Sequence, residues 1–272
     1  VALMSWFILM PYNFTAKIAG LADATGVAVN VPEGATSLVR GLDLGWLGAK
    51  IVAYIFLHLF WFFGINGGSV VGAVFNPILQ TLALENLNLY REVGAAGYTV
   101  QNGAHIISQQ FQDLFATFGG AGSTLSLLIA MLLFCRSKRI KDLGKLSLVP
   151  GIFGINEPII FGLPIVLNPV MLIPFVLVPT VNIILSYFAM NMGMFPPCNG
   201  INIPWTMPVI ISGFLATNWV GALFQAGLLV LGVFIYLPFI KAMDKQYLED
   251  EQKAMENQEE EIDLDDFSFD DL

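Results

Sequence analysis

A lone carboxylate in apolar surroundings is the first group in this chain whose type and setting could do chemistry. Glu157 is the single ionisable residue of GIFGINEPIIFGLPIVLNP, residues 151–169. Asn156 precedes it, Pro158 follows it, and Gly151, Gly154, Gly162 and Pro164 frame it. A charged group at membrane depth costs roughly 3 kcal/mol on insertion scales, so such residues face a cavity or a partner and mark a substrate path. Glycine and proline at this density make a poor straight span. They suit a re-entrant or broken helix whose irregular backbone lines a water-filled site. A carboxylate, an amide and freed backbone groups in one cavity can hydrogen-bond several hydroxyls of a neutral sugar. The competing reading is a glutamate at the membrane surface, close to Lys145 and simply solvated.

Two tryptophans extend the first reading. Trp205 in INIPWTMP and Trp61 in HLFWFFGING offer indole faces on which the C–H faces of sugar rings stack. Tryptophan also populates membrane interfaces for structural reasons, and that alternative stays open. The chain carries no phosphate-cradling glycine loop with a lysine, no HExxH, no CxxC and no serine nucleophile elbow. His58 and His105 stand apart, without metal-ligand spacing. The expectation is a site with no metal and no cofactor.

The elements that must hold these residues follow from composition. Of the 272 residues, 56% are hydrophobic and 12% charged, about half the charge of a soluble domain. A soluble enzyme of this size could not cover its surface with so little charge. From Pro158 to Ile240 there is no Asp, Glu, Lys, Arg or His in 83 residues. A span needs about 20 apolar residues, so this stretch can cross a bilayer more than once. Its prolines and asparagines divide it into spans near 167–190 and 207–240, with Pro196-Pro197-Cys198-Asn199-Gly200 as the turn between them. Residues 51–84 and 114–135 are further candidate spans, and 1–16 is a marginal one.

The net charge of −9 is unevenly spread. Residues 1–243 hold 10 basic and 8 acidic groups, whereas residues 244–272 hold 2 basic and 13 acidic. No basic nucleic-acid footprint exists. Arg136, Lys138, Arg139, Lys141 and Lys145 lie within ten positions, which predicts a cytoplasmic loop, or alternatively a patch for anionic lipid or a partner. Two spans later the chain returns to the same side, so the acidic tail is expected inside the cell. That tail lacks apolar periodicity and reads as disordered.

The segments GIFGINEPIIFGLPIVLNP, PPCNGINIPWTMPVIISGFLAT, FGGAGSTLSLLIAML (118–132) and LFWFFGING (59–67) together resemble a known family. It is the membrane subunit, enzyme IIC, of bacterial phosphotransferase systems of the lactose/cellobiose/diacetylchitobiose type. The likeness is continuous over about residues 105–247. It implies an all-α, polytopic transmembrane protein with broken helices around a sugar site. It further implies a homodimeric permease in the bacterial plasma membrane, in contact with lipid. A disaccharide would be carried inward and phosphorylated at C6 by a separate enzyme IIB, whose phosphocysteine is charged by enzyme IIA. Carried onto this sequence, the resemblance puts Glu157 beside the C6 hydroxyl and makes Asn156, Trp205, Trp61 and Asn199 substrate-binding residues.

Two departures qualify that expectation. Where the family usually reads GIHG, this chain reads Gly64-Ile65-Asn66-Gly67, and Asn66 cannot take a proton near pH 7. His58 lies eight positions earlier, roughly 80° around an ideal helix, as an alternative proton acceptor. The chain is also short for the family. Residues 1–50 then read as a remnant of the N-terminal interface region, 51–243 as the transport domain and 244–272 as the cytoplasmic tail. Shortening and Asn66 leave open an impaired or non-transporting remnant, and an ion-coupled sugar transporter is a third reading.

Overall fold

The computed structural model describes residues 43–265, with side chains over 47–256. The stretch 1–16, most of the 1–50 region and the end of the tail lie outside the described residues. Helices and turns make up the described residues, with no strand among them. The main helices are α1 (Asp43–Phe62), α2 (Gly67–Gly97), α3 (Thr124–Phe134), α4 (Lys138–Ile152), α5 (Glu157–Gly162), α6 (Pro169–Asn191), α7 (Ile211–Ala216) and α8 (Trp219–Asp265). Among the described residues, four helical stretches are long and apolar enough to cross a membrane: Gly67–Gly97, Gln109–Phe134, Pro169–Asn191 and Trp219–Glu256.

The spans differ from the sequence expectation in instructive ways. The uncharged run 51–84 breaks at residues 63–66, where Gly64 takes a φ of 76° and Asn66 caps α2 by accepting a hydrogen bond from the Ser69 amide at 3.0 Å. Apolarity alone cannot reveal such a break, because both halves are equally greasy. The stretch 109–134 is helical in pieces: a π-helical turn (Gln112–Ala116), a glycine loop, a single 3₁₀ turn (Ala121–Ser123) and then α3. Only α6 follows its expected bounds closely. Pro169 starts it, and the Asn168 side chain accepts from the Val170 and Met171 amides.

α8 shows how the sequence meets lipid. Trp219, Leu223, Val230 and Phe234 are more than half exposed, and their spacing of four, seven and four puts them on one stripe. Leu228, Val233, Tyr236 and Ile240 are buried on the side that meets α3 and α6, while Ala222 and Gln225 are buried against α7. The exposed side is apolar, which suits hydrocarbon and not water. Gly232 faces Ser126 of α3 with no room for a Cβ, and the Ser126 hydroxyl donates to the Leu229 carbonyl at 3.1 Å. Small residues buy this close approach, the usual source of helix affinity in a bilayer.

Two expected boundaries fall inside helices. α1 runs straight through residue 50, and Lys50 packs within the helical body rather than on a separate region. The tail expected as disordered continues as helix to Asp265. Propagation from a formed span avoids the cost of nucleation, and two acidic residues dock the extension. Asp244 accepts from the Arg136 and Ser137 amides at 2.8–3.0 Å. Glu251 accepts from the Ser137 hydroxyl at 2.7 Å and the Arg139 amide at 3.1 Å. Arg139 also lies 4.7 Å over the Tyr247 ring. The four orphan amides of a helix start need partners; for α4 the tail supplies those of Ser137, Lys138 and Arg139, and the Ser137 hydroxyl takes that of Ile140.

Candidate functional site

The glycine loop between the π-helical turn and α3 is the hub of the site. Gly119, Gly120 and Gly122 have φ of 70°, 95° and 74°, a region that side chains other than glycine's rarely adopt. Space is equally limiting at Gly120, where a Cβ would come within 2.6 Å of the Asn156 amide carbon and 2.7 Å of the Gly154 carbonyl.

Side chains from four separate segments clamp this loop. From α1, His58 Nε2 accepts the Gly122 N–H at 3.0 Å while Nδ1 donates to the Tyr54 carbonyl at 2.6 Å. From α8, the Tyr236 hydroxyl donates to the Gly122 carbonyl at 2.6 Å. From α6, Asn182 donates to the Ser123 hydroxyl at 3.0 Å, and Phe175 packs on Gly122. Ahead of α5, Asn156 donates to the Ala121 carbonyl at 2.8 Å and to the Thr124 hydroxyl at 2.9 Å. His58 is completely buried and both of its ring nitrogens are committed, so its role here is to hold the loop.

Against the loop lies the turn that carries Glu157. α4 ends at Gly151–Gly154, where the Ile155 amide closes back on the Pro150 carbonyl at 3.0 Å and Gly154 takes a φ of 78°. Pro158 fixes the first turn of α5. Asn156 is 4% exposed, whereas Glu157 beside it is exposed. The buried amide is anchored and the adjacent carboxylate is free. Glu157 has no hydrogen bond or ion pair among the described residues, and Lys145 pairs instead with Asp142 at 3.3 Å.

The tryptophans meet this turn differently. Trp205 lies against Gly154, whose Cβ position would be 3.5 Å from the ring, and it keeps 56% of its surface exposed. Trp61 is buried, edge-on to Phe161 of α5 with ring centroids 6.5 Å apart, and its Nε1 has no partner among the described residues. The turn after Trp61 is stitched to the segment that follows α5, the Leu167 amide donating to the Phe62 carbonyl at 2.9 Å. Asn66 sits on that turn as an exposed cap.

Glu157, Asn156 and Trp205 are therefore gathered around Gly154, Trp61 touches the same α5, and Asn66 lies on the turn tied to its far side. Asn199 stands elsewhere. It is buried, donates to the Leu215 carbonyl at 2.9 Å and accepts from the Ile201 amide at 3.1 Å, knotting the loop before α7.

One polar group escaped the sequence reading. Lys50 is 2% exposed, bonds to Gln112 Oε1, and lies 5.0 Å from the centre of the Tyr54 ring. Gln112 passes the contact to Asn76 at 3.3 Å, and Gln109 holds the Asp113 carboxylate at 3.0–3.1 Å. The available signal was a single lysine at the head of an otherwise uncharged run.

Known proteins resemble this chain in sequence and fold. The family described as phosphotransferase system, EIIC, matches residues 26–179. The oligo-beta-mannoside-specific EIIC component of Bacillus subtilis (strain 168) is 42% identical over 205 residues, which are 75% of this chain and 45% of that protein. The cellobiose-specific EIIC component of Geobacillus stearothermophilus is 42% identical over 210 residues, 76% of this chain and 46% of its own. The lactose-specific EIICB component of Streptococcus mutans is 36% identical over 90% of this chain and 43% of its own length. Among solved structures, ChbC, the IIC component of the N,N'-diacetylchitobiose-specific phosphotransferase system, superposes with a TM-score of 0.72 at 41% identity, covering 79% of this chain and 49% of that one. The chain thus spans about half the length of the relatives it matches.

Proposed function

The chain belongs to the phosphotransferase system EIIC family, and on that premise we propose that it acts as a permease that carries a disaccharide inward for phosphorylation at C6. The observation that carries this reading is the pairing of a buried Asn156, anchored to the glycine loop, with an exposed, unpaired Glu157 on the same turn. A carboxylate held in that way accepts a hydrogen bond from a sugar hydroxyl without first losing an internal partner. Trp205 offers an open face beside it for a sugar ring. Asn156 serves binding by fixing the loop behind the carboxylate, and Trp61 does so by packing on Phe161 of α5.

In the proposed reaction the partner enzyme IIB brings a phosphocysteine. The sulfur–phosphorus bond breaks as the C6 oxygen bonds to phosphorus, and Glu157 is the group placed to take the hydroxyl proton. The lactose-specific relative is an EIICB component, which supports a IIB partner. Enzyme IIA, a homodimer, surrounding lipid and a cytoplasmic tail complete the assembly. Asn66 hydrogen-bonds but does not accept a proton, so this chain is expected to phosphorylate more slowly than relatives with histidine there.

The test is reconstitution with IIA and IIB and labelled cellobiose. Glu157→Gln should retain sugar binding and lose sugar phosphate; unchanged phosphorylation would remove Glu157 from the mechanism. An ion-coupled transporter is the second reading, favoured by the buried Lys50 and by Asp113 near it. Accumulation of unmodified sugar without IIB would establish that reading in place of the first.

A further inference from the structure

Where α3 ends and α8 leaves its apolar stretch, the two helices and the start of α4 enclose an open cleft of about 280 Å³. Its walls include Phe134, Arg136, Lys241, Asp244 and Lys245. Three cations thus converge where two spans meet the water. Neither Arg136 nor Lys241 has an ion-pair partner among the described residues. Lys245 has a single exposed partner, Glu249, at 3.7 Å, and such a pair in water holds weakly. The one carboxylate in the wall offsets one of these charges and leaves two in excess. Asp244 is 6% exposed, and both of its oxygens are turned to the Arg136 and Ser137 amides.

The rim is apolar on the bilayer side. Leu133 is 70% exposed and Phe134 41% exposed at the last turn of α3. An occupant must therefore satisfy two or three positive charges and continue into hydrocarbon. We infer that this cleft binds the headgroup phosphate of an anionic phospholipid, with its acyl chains along Leu133 and Phe134. The inference rests on the proposed membrane placement, with residues 136–145 on the cytoplasmic side, but not on sugar transport. Anionic lipid populates that leaflet, and each basic side chain near its surface strengthens binding roughly fivefold.

The site has a place in the permease. Arg136 immediately precedes α4, and α4 leads directly into the turn that holds Glu157. A bound headgroup would thus tie the start of α4 to the exit of α8.

Native mass spectrometry of the purified full chain in detergent, titrated with dioleoylphosphatidylglycerol or dioleoylphosphatidylcholine, tests the inference independently of uptake. The wild-type chain should retain phosphatidylglycerol preferentially. Arg136→Gln with Lys241→Gln should weaken that retention roughly 25-fold, and Lys241→Arg should preserve it. Should the double variant not fold, Lys241→Gln alone should give roughly a fivefold loss. Lys138→Gln with Lys253→Gln removes two cations outside the cleft and should leave retention unchanged. An equal loss in that control pair would overturn the site in favour of general surface charge. Displacement of the lipid by equimolar inorganic phosphate would likewise overturn it, since the cleft would then take a free anion.

Discussion

Replacing Asn156 by alanine separates two roles that the sequence cannot separate: touching the sugar, or holding the loop that shapes its site. Asn156 is 4% exposed and donates at 2.8 and 2.9 Å. Its loss takes the donor from the partly buried Ala121 carbonyl, which costs about 1–3 kcal/mol. Thr124 keeps its own donation to the Gly119 carbonyl at 3.1 Å, so the second bond adds only about 1 kcal/mol. The expected destabilisation is about 2–4 kcal/mol. Urea or thermal unfolding in detergent measures it, and a cycle with Thr124→Val should show about 1 kcal/mol of coupling. Sugar affinity should fall together with stability, and saturating ligand should recover part of both. An Asn156→Ala protein as stable as wild type, yet unable to bind sugar, would refute the latch and make Asn156 a direct ligand contact.

Other substitutions probe neighbouring parts. Gly120→Ala should disrupt the loop, because its Cβ meets Asn156 and Gly154 within 2.7 Å, whereas Gly103→Ala, with φ of 102° but open space, should cost only about 1 kcal/mol; unfolding midpoints compare the two. Asp244→Asn replaces a charged acceptor with a neutral one at the α4 amides and should cost about 1–2 kcal/mol, with faster amide exchange at 136–139 as its signature. Asn66→His should raise the yield of sugar phosphate in the reconstituted system while losing up to about 1 kcal/mol of helix capping. His58→Phe should destabilise by about 1–3 kcal/mol through the stranded Gly122 amide, leaving the pH profile of phosphorylation unchanged.

Glu157 was legible as a candidate because an isolated carboxylate in an apolar stretch has few structural uses. The partners that position it were not. His58, Asn156 and Tyr236 all bond to main-chain atoms of one glycine loop, and a peptide N–H or carbonyl has no signature in sequence. Asn199 shows the same limit from the other side: its type suited sugar binding, but its amide is taken by backbone. Lys50 was missed because its partner, Gln112, is uncharged and 62 positions away. The helical character of residues 244–265 was hidden for a related reason. Over residues 244–256 its support includes contacts from Asp244, Tyr247 and Glu251 to the distant start of α4, which leave no local pattern.

Those capping contacts also set an order of assembly. The amides of Arg136 and Ser137 ahead of α4 wait for the Asp244 carboxylate, 108 and 107 positions later in the chain. At about 5–20 residues per second, a ribosome takes roughly 5–20 s to cover that distance. Through that interval α4 and the Glu157 turn exist without their cap, and Gly122 lacks the Tyr236 hydroxyl. The candidate site is therefore completed last, only after α8 has been inserted, and a nascent chain halted before residue 236 would lack the Tyr236 hydroxyl that closes its glycine loop.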